Sequence, residues 1–310
     1  MKYRIALMLV LALCAGTALF MAETQSPKHR TVEAAGLTRS YELHVPPNLP
    51  AGKAVPLVIV FHGSGDTGAG MESFSKFDDV ADREGFIVAY PDAIAANWND
   101  GREATGITSQ FNKVDDVAFT SALIKEISTT HALDAKRVYA TGFSNGGIFV
   151  HYLAAKLPAR LAAIASVSGG IAEPLARDFK PAAPLSIFII HGSKDTLVPF
   201  DGGDVDYGGF GCIISTAKTV DLWTKCNAIN AKPESGMLPD INTKDNCRVS
   251  WSRWISPANQ SEILLYTIEG GGHTWPGGSQ FLPVNVIGNV DRDFNATEAI
   301  WDFFKKHPQG

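Results

Sequence analysis

A series of short, continuously apolar runs, separated by helix-like stretches, constrains this chain more than any other feature. The runs are Leu57–Phe61, Phe86–Tyr90, Arg137–Thr141, Ala162–Val167, Leu185–Ile190 and Ile263–Ile268. An exposed strand alternates apolar and polar residues, whereas a strand covered on both faces is apolar throughout, as parallel strands usually are. Between the runs, Met71–Glu84, Val114–Thr130, Asn145–Lys156, Thr216–Cys226 and Ala296–Lys306 read as helices. Strands alternating with helices predict an α/β protein with a mainly parallel, doubly wound sheet. Ser40–Val45 alternates and suits an antiparallel edge strand. Asn295 is placed to cap the last helix, with Glu298 in the reciprocal capping position. No linker, repeat or appended module interrupts residues 23–310, which read as one domain.

Composition narrows the partners. The formal charge is −5 with no dense basic stripe, which speaks against nucleic acid. Lys2 and Arg4 precede an apolar run from Ile5 to Ala22, and polar residues follow. This pattern reads as a signal peptide over residues 1–22 and predicts a secreted or periplasmic protein with no stable membrane span after cleavage. An uncleaved anchor is the alternative, since the run is borderline in length for a bilayer. An oxidising compartment favours disulfides. Of Cys212, Cys226 and Cys247, a Cys226–Cys247 bridge is expected to close a polar loop, leaving Cys212 free. No spacing suggests a metal site, and no cofactor is expected.

The chemistry centres on Gly142-Phe143-Ser144-Asn145-Gly146-Gly147, between a strand and a helix. Gly-x-Ser-x-Gly in that context is a nucleophile elbow. The turn is sharp enough that side chains at Gly142 and Gly146 would crowd Ser144, whose hydroxyl is left at a helix N-terminus that favours developing negative charge. A serine hydroxyl needs a base, and the base needs an orienting acid. Asp195 follows the strand Leu185–Ile190, and His273 follows Ile263–Ile268 on a run of glycines. Both fall in loops at strand C-terminal ends, where α/β sheets keep their sites. His191 abuts its strand and reads as structural. An oxyanion requires two N–H donors. One is expected from Asn145, the residue after the nucleophile. The other is expected from Ser64, with Gly65 the nearest alternative, in the loop His62-Gly63-Ser64-Gly65.

Six segments carry a resemblance: Phe61–Asp66 (FHGSGD), Asn97–Arg102 (NWNDGR), Val114–Phe119 (VDDVAF), Gly142–Gly147 (GFSNGG), His191–Phe200 (HGSKDTLVPF) and Tyr266–Gly278 (YTIEGGGHTWPGG). Together they resemble the secreted α/β-hydrolase esterase family named for polyhydroxybutyrate depolymerases, which also holds bacterial feruloyl esterases. The resemblance implies a Ser144–Asp195–His273 triad, an oxyanion loop after His62, and an ester substrate hydrolysed through an acyl-enzyme. Trp98, Asn99, Asp100, Asp115 and Asp116 match motifs near or behind the site, with Asp115 or Asp116 expected to cap a helix. Cys212 and the segment after Cys247 depart from the family pattern. Only Gly169–Pro184 lies where many hydrolases insert a cap, so no separate cap domain is expected. Trp98 and Trp275 are candidates for an aromatic substrate wall. Feruloyl or acetyl esters of plant polysaccharide rank first as substrates. Polyhydroxyalkanoate or another polyester comes second, and a serine peptidase last.

Overall fold

The structure is a computed structural model that describes residues 28–49, 52–157, 160–205 and 209–310. The N-terminal segment read as a signal peptide lies outside the described residues. Among them, no helix is long and apolar enough to cross a membrane.

The apolar runs form strands of one ten-stranded sheet. In chain order these are β1 (His29–Ala34), β2 (Leu37–His44), β3 (Val55–Phe61), β4 (Ile87–Pro91), β5 (Leu133–Phe143), β6 (Ala163–Val167) and β7 (Ser186–Gly192). A two-stranded ribbon, β8 (Gly203–Asp204) with β9 (Cys212–Ile213), stands apart. Then come β10 (Glu234–Met237), β11 (Arg248–Ile255) and β12 (Glu262–Glu269). The sheet order is β1-β2-β4-β3-β5-β6-β7-β12-β11-β10. The six central strands, β4 to β12 in that order, run parallel, and antiparallel strands flank them on both sides. This is the α/β-hydrolase architecture that the sequence predicted.

The parallel strands β3, β4, β6 and β7 are buried along their whole length, whereas β12 is mostly half-buried. Leu57, Ile59 and Phe61 of β3 join one core layer, under the helices Asp116–Thr130, Asn145–Lys156 and Thr216–Cys226. Val58 and Val60 join the other, under Gly68–Ser75, Phe77–Glu84 and Ala296–Phe304. The period-two alternation of the strand divides one apolar run between two cores.

Several local expectations differ. The stretch Met71–Glu84 is two helices, broken at Lys76, whose backbone is left-handed at φ 55°. β2 is antiparallel as expected but is not the edge, because β1 pairs outside it. Asn295 caps the last helix by accepting the Glu298 N–H at 3.2 Å. The Glu298 carboxylate does not reciprocate; it pairs with Arg83 at 2.6 Å. Asp115, not Asp116, caps its helix.

The expected Cys226–Cys247 disulfide is absent: Cys212, Cys226 and Cys247 are all free thiols. The reason is the sheet itself. Cys226 packs against the core layer beneath the nucleophile helix, whereas Cys247 lies in the layer on the opposite face. Proximity in sequence across a polar loop does not bring together two side chains that the sheet separates. Burial pushes the Cys247 thiol up to about 12, so it is inert as a nucleophile.

Between β6 and β7 there is only the short helix Glu173–Ala176. No cap domain is inserted there. The strand register sets the ends flush: Phe61 pairs with Gly142, Gly142 with Ser166, Ser166 with Ile189, and Ile189 with Leu265. The loops after β3, β5, β7 and β12 therefore leave the sheet at one edge. The strand order reverses between β3 and β5, the topological position where open α/β sheets form their crevice.

Candidate active site

Ser144 closes β5 and opens the helix Asn145–Lys156 with φ 57° and ψ −120°. That backbone is one that glycine favours and L residues rarely adopt. The flanking glycines are explained by contact. A Cβ on Gly142 would stand 2.5 Å from the Gly146 carbonyl, and one on Gly146 would stand 2.3 Å from the Phe61 oxygen. No side chain fits at either place, so the turn can close only on glycine. Ser144 is half-buried, its N–H bound to the Val167 carbonyl at 3.0 Å.

The acid and the imidazole meet directly. His273 Nδ1 lies 2.8 Å from Asp195 Oδ2, and both residues are buried. The other oxygen, Oδ1, accepts the N–H groups of Leu197 at 3.0 Å and Val198 at 2.8 Å. Burial alone would raise the Asp195 carboxyl, but the neighbouring His273 and His191 hold it well below the usual carboxylate range. An ionised Asp195 fixes the proton of His273 on Nδ1 and leaves Nε2 as the basic nitrogen. His191 Nε2 lies 3.5 Å from the same carboxylate oxygen and 2.9 Å from the Val198 carbonyl, while its Nδ1 meets the Thr216 hydroxyl at 2.9 Å. It is a bracing residue buried behind the acid.

The glycines before His273 serve close approach rather than flexibility. A Cβ on Gly272 would collide with the Ile287 carbonyl oxygen, which accepts the His273 N–H at 2.6 Å. Ser144 and His273 are neighbours through Phe143, whose ring centroid lies 4.8 Å from that of the imidazole. Among the described residues, Ser144 and His273 share no direct hydrogen bond. Such bonds often tighten only when substrate is present.

The loop after β3 flanks the other side of the serine. A Cβ on Gly63 would lie 3.3 Å from the Ser144 Cβ. The Gly65 N–H is already bound to the Ala96 carbonyl at 2.9 Å, whereas the exposed Ser64 N–H has no partner among the described residues. This favours Ser64 over Gly65 as a free donor. The Asn145 N–H, in the first turn of its helix, has no carbonyl within the helix to bind. His62 holds the loop in place. Its Nε2 accepts the Ala93 N–H at 3.1 Å, so its Nδ1 carries a proton and donates to the Gly63 carbonyl at 2.7 Å. Burial lowers its pKa, which keeps it neutral.

Trp98 and Trp275, expected as an open aromatic wall, are both buried, at 0% and 1% exposure. Trp98 braces the site from behind. Its N–H donates to Asn145 Oδ1 at 2.7 Å and its indole N–H to the His62 carbonyl at 3.0 Å. Asp100 accepts from Asn145 Nδ2 at 2.6 Å and pairs with buried Arg102 at 2.8 Å. The Trp275 indole N–H bonds Thr297 at 3.1 Å inside the opposite core. The ring that does reach solvent is Phe281, 42% exposed, which packs edge-on against Phe74 and Phe143. Sequence reading missed it because no motif marks it; only its contact with Phe143 draws it to the site.

Comparison with known proteins agrees with the fold. Residues 48–206 match the model of the phospholipase/carboxylesterase family. NocK of Nocardia uniformis subsp. tsuyamanensis, an esterase by assignment, is 32% identical over 289 residues, covering 88% of this chain and 81% of that protein. Feruloyl esterase B of Piromyces equi is 30% identical over 238 residues, which cover 74% of this chain but 41% of that protein. The solved structure of an acetyl xylan esterase from Aspergillus awamori shares the fold, with a TM-score of 0.56 at 18% identity over 79% of this chain and 94% of that one. The sequence is thus matched by kinship and the sheet by shape, and the chain belongs to the phospholipase/carboxylesterase family of ester hydrolases.

Proposed function

We propose that the protein is an exported serine carboxylesterase that cleaves feruloyl or acetyl esters of plant polysaccharide with Ser144, His273 and Asp195. The observation that carries the reading is the 2.8 Å Asp195–His273 contact set beside a serine on a strained elbow. Nε2 of His273 takes the Ser144 proton as the hydroxyl attacks the ester carbonyl. Asp195 stabilises the imidazolium that results. The tetrahedral oxyanion is held by the N–H groups of Ser64 and Asn145, donors that need no reorganisation as charge develops. The imidazolium then protonates the departing alcohol, and water attacks the acyl-enzyme by the same route in reverse.

Three observations support the substrate class. Among the described residues only the short helix Glu173–Ala176 lies between β6 and β7, which leaves room for a polymer-linked ester. The relatives include a feruloyl esterase and a bifunctional acetylxylan esterase/xylanase. The basic-then-apolar N-terminus suits an enzyme that meets its substrate outside the cytoplasm.

The test is covalent labelling. A fluorophosphonate should add one adduct to the peptide containing Ser144 and abolish esterase activity. Ser144→Ala should block the adduct and lower kcat on the order of a million-fold, as in a comparable triad. A folded Ser144→Ala protein with near-normal turnover overturns the assignment.

A further inference from the structure

We propose that Phe281 is a stacking platform for the sugar ring of the leaving alcohol. The inference rests on the esterase reading above and specifies what lies on one side of its scissile bond.

The argument begins with which side of Ser144 the residue occupies. In acyl transfer the departing oxygen must face the imidazole that protonates it, while the carbonyl oxygen faces the oxyanion donors. The segment 280–288 is tied to the acid–imidazole pair. The Ile287 carbonyl accepts the His273 N–H at 2.6 Å, and the Val286 carbonyl accepts the hydroxyl of Thr196, next to Asp195, at 2.7 Å. Phe281 meets Phe143 at 6.0 Å between centroids, and Phe143 in turn meets His273 at 4.8 Å. A group leaving past His273 therefore passes this segment.

The second step is presentation. Phe281 stands perpendicular to both Phe74, at 5.6 Å and 90°, and Phe143, at 6.0 Å and 89°. These edge contacts fix the ring, yet the residue stays 42% exposed. The Gln280 amide pins the segment by donating to the Leu282 carbonyl at 2.8 Å and the Gly288 carbonyl at 3.0 Å. A rigid ring needs little ordering on binding. A solvent-facing aromatic plate on a pinned segment matches the apolar C–H face of a pyranose or furanose, which keeps its hydroxyls in water. Buried Trp98 and Trp275 offer no such face.

The experiment holds the acyl group constant and changes only the alcohol. Feruloyl arabinose is compared with methyl ferulate, and acetylated xylobiose with methyl acetate, in wild type, Phe281→Ala and Phe281→Trp. Wild type should favour the sugar ester in whichever pair it turns over faster. Phe281→Ala should lower kcat/KM for that sugar ester about tenfold, the effect of re-exposing a sugar face, with the methyl ester nearly unchanged. Phe281→Trp should restore the preference. A wild type without preference for the sugar ester overturns the proposal. So does Phe281→Ala lowering both esters equally, which would place the ring on the acyl side or in the framework. Turnover of the methyl esters is the separate check on the esterase reading; failure there removes the activity itself rather than the platform.

Discussion

Replacing Ser144 by glycine should destroy activity and stabilise the fold. At φ 57° and ψ −120° the serine occupies a region that costs an L residue about 1–3 kcal/mol. Glycine adopts it freely but loses about 0.4–1 kcal/mol through the greater freedom of the unfolded chain. The difference leaves a net gain of about 1–2 kcal/mol. For a chain of this size that corresponds to a rise of about 2–4 °C in Tm. Ser144→Ala is the control, because it removes the same hydroxyl and keeps the strained Cβ. The hydroxyl makes no direct bond to His273, so the alanine variant should melt within about 1 °C of wild type. Calorimetry of the three proteins, alongside a nitrophenyl ester assay, separates the effects. Both variants should be inactive, and the glycine variant alone should melt higher. A glycine variant no more stable than the alanine variant would refute the claim that the elbow stores backbone strain.

Further outcomes follow from two carboxylates. Asp195→Asn should retain the fold but lower kcat by about ten-thousand-fold, because an amide no longer holds His273 in the required tautomer; a loss below about tenfold in a steady-state assay would show that the acid lies elsewhere. Because His273 and His191 outweigh burial and depress the Asp195 carboxyl, its contribution to stability is present above about pH 4 and fades only as acid titrates the folded group. Asp291 behaves oppositely. Burial, with the charges of Asp293 and Asp245, pushes its carboxyl up to about 7, and among the described residues its Oδ2 has no hydrogen-bond partner. The folded protein then keeps a proton that the unfolded chain has released, so stability should fall as pH rises from about 4 to about 7. Asp291→Asn should flatten that decline and unfold at higher urea than wild type at pH 8; matching midpoints at that pH would count against the burial of an unpaired charge.

Sequence alone determined the parts whose cause is local. Continuous apolar runs announce strands covered on both faces, and the order of runs and helices announces a doubly wound sheet. The elbow was legible because its pattern is local: Gly142 answers to a clash with Gly146 only a few residues away, although Gly146 in turn answers to Phe61 on the neighbouring strand. Asp195 and His273 were legible as loop residues following strands, and their 2.8 Å contact follows once the sheet sets those strand ends flush. Tertiary structure decided what depends on which face of the sheet a residue meets. It placed Cys226 and Cys247 in separate core layers, buried Trp98 and Trp275, and engaged Gly65 while leaving the Ser64 N–H without a partner among the described residues. It also brought Phe281 to the site from a segment with no motif. The physical reason is that propensity and motif act over a few residues, whereas sidedness and exposure arise only when distant segments pack against the same sheet edge.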